Sequence, residues 1–92
     1  MELHWVRYAG KGVLKQLLLF SLGKNNGKLV CIDANSITEE EKQFLKSNSS
    51  SLDGMSLTER IVFIKENRPE IMRHCKTIFE DNLLIDNTYK IS

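Results

Sequence analysis

Proline is almost missing from this chain: Pro69 is the only one in 92 residues. No proline-rich linker therefore divides it. Cysteine is scarce as well, with Cys31 and Cys75 alone. A small secreted domain built on a disulfide framework usually carries more. Cys31 falls in an apolar strand pattern and Cys75 on an apolar helical stripe. Both read as buried small hydrophobes and not as reactive thiols. Sequence alone leaves a bridge between them open.

Long apolar runs are missing too. A membrane helix needs about 20 consecutive apolar residues. The most apolar window, Val13 to Leu22, is broken by Lys15, Gln16 and Ser21. Glu2, His4 and Arg7 precede no clean apolar core, and no small-residue cleavage pattern follows Leu22, so a secretory leader is not expected. The expected location is the cytoplasm, without membrane contact.

The motifs of catalysis and metal binding are absent. There is no C-x-x-C, no H-E-x-x-H and no acidic metal loop. Ala9-Gly10-Lys11-Gly12 faintly suggests a phosphate-binding loop, but no Gly-Lys is followed by Ser or Thr. His74 and Cys75 are neighbours on an expected helix, so their side chains diverge. Cys31 has no local base and no glycine-rich elbow. No cofactor is expected, and no enzymatic activity.

What is present fits one small domain over residues 1–92. Hydrophobic residues make up 41% and charged residues 27%, ordinary values for a globular chain able to bury a modest core. The net charge is +1, but its distribution is lopsided. Up to Val30, Arg7, Lys11, Lys15, Lys24 and Lys28 stand against Glu2. From Cys31 to Glu59, Asp33, Glu39, Glu40, Glu41, Asp53 and Glu59 outnumber Lys42 and Lys46. No basic residues run together, which favours a solvated sheet edge over a phosphate-tracking surface.

The pattern predicts an α+β fold. An N-terminal three-stranded antiparallel meander, residues 1–34, packs against two or three C-terminal helices in 37–82. Residues 83–92 form a tail, a short hairpin around Asp86-Asn87, or a strand joining the sheet. Glu2 to Tyr8 and Lys28 to Ala34 read as strands. Asn26-Gly27 is the dipeptide of a type I′ hairpin. An unbroken register from that turn sets Lys24 opposite Leu29, Leu22 opposite Cys31 and Phe20 opposite Asp33. With a first bend at Gly10-Lys11, Leu3, Trp5, Leu14, Leu18, Phe20 and Leu22 share the face that receives the helices. The competing reading is a βαβ start with a helix over 13–22.

Thr38 or Ser36 caps a predicted helix over Glu39 to Lys46. Ser47 to Gly54 reads as a flexible linker. Ser56 with Glu59 is a capping box that opens a helix ending near Asn67, before Pro69. A second apolar stripe through Ile71, Met72, Cys75, Ile78 and Phe79 predicts a further helix from Glu70.

Two functional readings follow. The first is a small non-enzymatic regulatory or adaptor protein that binds another protein or a second copy of itself. It uses an over-apolar sheet face carrying Tyr8, Leu17, Leu19, Val30 and Ile32. The alternative is a winged-helix-like, nucleic-acid-binding transcriptional regulator. It uses Arg7, Lys11 and Lys15 of the basic first third, or Arg68, Arg73 and Lys76 on the last helix.

Overall fold

The computed structural model describes the backbone of residues 2–10 and 13–90 and the side chains of residues 16–81. The fold is α+β. Strands β1 (Glu2–Gly10), β2 (Val13–Asn25) and β3 (Lys28–Asp33) form the antiparallel meander. Helices α1 (Glu39–Ser47), α2 (Ser49–Asp53) and α3 (Leu57–Asn67) follow. A 3₁₀ segment, Pro69–His74, leads into β4 (Cys75–Phe79), and a second, Glu80–Asn82, leads into β5 (Leu83–Lys90). The sheet order is β4-β3-β2-β1-β5, with every neighbouring pair antiparallel.

Several expectations change. Residues 13–22 belong to a strand, so the βαβ start falls away. The predicted helix from Glu70 does not form: Pro69 opens only the 3₁₀ segment, and 75–79 is a strand. Cys75, Ile78 and Phe79 share a helical face, but in the strand Cys75 turns to the helical layer and Ile78 to the opposite, equally apolar sheet face. The waiting edge of β3 decides for the strand, where Ile78 pairs with Leu29. Ser47 to Gly54 is no linker, because α2 is anchored there by fully buried Leu52 and by Ser49 at 3% exposure. The C-terminal stretch is one strand beside β1, without a hairpin at Asp86-Asn87.

The Asn26-Gly27 turn forms as the sequence demands, with φ of 51° and 74°. Lys24 pairs with Leu29. One residue further on, the ladder slips. Leu22 is extra, so Ser21 meets Cys31, Phe20 meets Ile32 and Leu19 meets Asp33. Such a bulge reverses which face each following residue occupies. Val30 and Ile32 therefore turn toward the helices and away from Leu17 and Leu19.

Two apolar clusters result. Phe20, Leu22, Val30, Ile32, Ala34 and Ile37 bury against Leu45, Leu52, Ile64 and Ile71 from the helical layer. At the rim, the Phe44 and Phe63 rings stack with centroids 5.9 Å apart. On the other sheet face, Leu19, Leu29, Cys31 and Ile78 form a second cluster with Leu17.

That second face is covered because the sheet rolls up. β4 and β5 are opposite edges, yet only Glu80–Asn82 separate them. Phe79 lies beside Lys28, at the Asn25 end of β2. Leu83 lies beside Tyr8, at the Lys15 end. In a flat sheet these points would be roughly 30 Å apart along β2 and about 19 Å apart across the strands. Four Cα steps reach at most about 15 Å. Bulges at Leu22 and at Asp86 supply the bend. The concave face becomes an interior, while β4 and β5 stay unpaired with each other.

Gly23, beside the bulge, has φ +156° and touches α3. A Cβ built there would lie 3.3 Å from the Cβ of Leu57. The absence of a side chain lets the first turn of α3 land on β2.

Candidate functional site at the β4 edge

Strand β4 presents one of the two edges of the sheet. In a two-residue type I′ hairpin the flanking residues, here Asn25 and Lys28, exchange both backbone hydrogen bonds. Alternation then aims Leu29 and Cys31 at β4, where they face Ile78 and Lys76. The Glu80 N–H donates to the Gly27 carbonyl at 2.9 Å, in the same phase. Cys75, Thr77 and Phe79 consequently turn their backbone groups away from β3. The Cys75 N–H is already taken by the Met72 carbonyl. Those of Thr77 and Phe79 point to the open side.

The side chains along this edge are mixed. Phe79 is 56% exposed, and the Lys28 ammonium sits 5.0 Å from its ring centroid. Thr77 and Lys76 are exposed. The Lys76 Nζ lies 3.4 Å from the carboxylate of Asp33, a largely buried residue that also accepts from the Asn35 N–H at 3.0 Å. At the far end, Lys24 and Glu80 form an exposed pair at 3.2 Å. The edge thus runs from basic at Arg73 and Lys76 to acidic at Glu80 and Asp81.

Elsewhere, polar side chains are committed to holding the fold. Arg60 donates to the carbonyl of bulged Leu22 at 2.5 Å and to those of Leu52 at 2.7 Å and Asp53 at 3.5 Å. It satisfies an acceptor freed by the bulge and two at the end of α2. Glu41 and Glu59 close capping boxes with Thr38 and Ser56. The accepted backbone N–H bonds hold both carboxyls below the ordinary carboxylate range. Arg60 carried no legible signal in the sequence, because its role depends on a bulge that no residue pattern announced.

The cysteines are free and lie on opposite sheet faces. Burial pushes the Cys31 thiol up to about 12, with the neighbouring Cys75 adding to the rise. The Cys75 thiol is raised as well, again by burial. Neither has the stabilised thiolate of a nucleophile. No group of His, Cys, Asp and Glu able to hold a metal occurs among the described residues. No described helix is long and apolar enough to cross a membrane. A shallow groove on α1, lined by Glu39, Glu40, Gln43, Phe44, Ser47, Asn48 and Arg68, opens widely to solvent.

The residues singled out from sequence are dispersed. Leu17 and Leu19 lie on the concave face, with Leu19 fully buried. Val30 and Ile32 lie under the helices at 9% and 0% exposure, which corrects their assignment to the face of Leu17 and Leu19. Tyr8, Arg7 and Lys15 are strand residues whose side chains fall outside the described set, and Lys11 lies outside it altogether. Arg68 caps α3 and meets Glu70 at 3.5 Å. Arg73 is exposed in the 3₁₀ segment, and Lys76 is on a strand, not on a helix.

Comparison of the chain with family models, with curated proteins and with solved structures finds no match.

Proposed function

We propose that the protein is a small non-enzymatic binding module, regulatory or adaptor in role, that engages a protein partner through the edge strand β4. Phe79 carries the reading. It is a large aromatic left 56% exposed at the end of a strand with free backbone groups. Recognition by strand addition needs that combination: an open edge for affinity and a side chain for selectivity. The commitment of Arg60, Asp33, Glu41 and Glu59 to internal contacts supports a binding role over a catalytic one.

The nucleic-acid reading has less behind it. Arg68 and Lys76 already face carboxylates, at 3.5 and 3.4 Å. Phosphate contacts would have to displace those pairs.

The experiment is capture from native cell extract by the immobilised chain, with and without nuclease and at low and moderate salt. Capture that survives nuclease and salt, and is lost in Phe79→Glu, is the expected result. Capture abolished by nuclease and falling steeply with salt puts nucleic-acid binding in its place.

A further inference from the structure

The β4 edge is complementary to itself, and we infer that its partner is a second copy of this chain. The inference rests on the protein-binding reading of this edge and names the occupant. The free backbone groups belong to Thr77 and Phe79, since the N–H of Cys75 is bound to Met72. Two β4 strands set antiparallel about Ile78 place Thr77 of each opposite Phe79 of the other. In that register both residues exchange N–H and C=O bonds across the axis, and Cys75 contributes no donor.

The charges fit the same register. Lys76 of one copy lies opposite Glu80 of the other. In each copy Lys76 already meets Asp33 at 3.4 Å and Glu80 meets Lys24 at 3.2 Å, so the cross-contacts share these partly exposed pairs and set the register more than the affinity. An antiparallel two-fold sets each residue against the one equally far on the other side of Ile78, so unlike charges at the two ends of one strand meet each other. Here the polarity from Lys76 to Glu80 turns the two-fold operation into an attraction at both ends. Phe79, otherwise open to water, packs against the partner's Thr77. The two sheets become continuous across the axis, with the helical layers on the same side of each β4.

The test is sedimentation of the purified chain alone over a wide concentration range. Wild type should show a monomer–dimer equilibrium. Thr77→Pro removes an N–H that the β3 ladder does not use, so the monomer should fold normally and the dimer should be lost. Glu80→Lys, at the exposed rim, tests the register. It should weaken the dimer by about tenfold at low salt and less at higher salt, as a repulsive rim charge does.

A wild-type chain that stays monomeric up to about 1 mM, the weak limit of useful association, overturns the inference. So does a Thr77→Pro chain that still dimerises. Should Thr77→Pro fail to fold, Phe79→Glu takes its place, with the same expected loss of dimer. A monomeric wild type whose extract capture is nonetheless lost in Phe79→Glu defeats the second-copy inference and leaves the protein-binding reading standing. A dimer unaffected by Phe79→Glu forms through another surface and defeats the second-copy inference, and if extract capture also survives Phe79→Glu the protein-binding reading of this edge falls with it.

Discussion

Among single residues, Arg60 does more for the fold than its half-exposed position on α3 suggests. The bulge at Leu22 leaves a carbonyl without a ladder partner, and the guanidinium binds it together with the end of α2. Arg60→Ala strands the part-buried Leu22 carbonyl, while the Leu52 carbonyl keeps the Met55 N–H at 3.0 Å; one stranded acceptor costs about 1–3 kcal/mol. Arg60→Lys should recover little, because a point charge cannot fork to carbonyls on two elements. Urea unfolding of both variants checks this. A midpoint unchanged in Arg60→Ala would mean that water replaces the guanidinium freely.

Helix starts were the most legible elements, and the capping boxes show why. Thr38 with Glu41 and Ser56 with Glu59 are local devices whose partners lie within one turn, so sequence spacing alone finds them. The Asn26-Gly27 turn was legible for the same reason. What was hidden is non-local. The Leu22 bulge, and with it the faces of Val30 and Ile32, follows from how β3 meets the helical layer. The identity of 75–79 follows from a strand some 45 residues upstream that needed an edge partner. The candidate site stayed hidden with it, since an edge exists only once the sheet order is known. The caps also make a pH prediction. Glu41 has a folded value below its unfolded one, so its contribution is present above the unfolded value and is lost as pH falls through the folded one. Thr38→Ala should cost about 1 kcal/mol at neutral pH and flatten the loss of stability on acidification. Urea midpoints from neutral pH down through the carboxylate range measure it; parallel curves for wild type and variant would refute the assignment.

At the scale of the molecule, two cores share one sheet, and the smaller carries its own weight. Ile78 is 8% exposed among Leu19, Leu29 and Cys31, on the face that no helix covers. Ile78→Ala should cost about 2–5 kcal/mol, as for other buried large-to-small changes. Phe63→Ala, at the rim of the larger core, should cost less. Equal losses in chemical denaturation would mean that the rim is packed as tightly as the interior. The rolled sheet also has a bearing on time. Glu2 pairs with Lys90 and Leu3 with Tyr89, so the ladder beside β1 joins segments more than 80 residues apart. Contacts of such sequence separation are reached late and slow the search for the native state. The meander and the helices are built largely from near neighbours. Refolding should therefore keep pace with the closing of that last ladder, and Trp5, paired with Asn87 inside it, is a natural clock for the step.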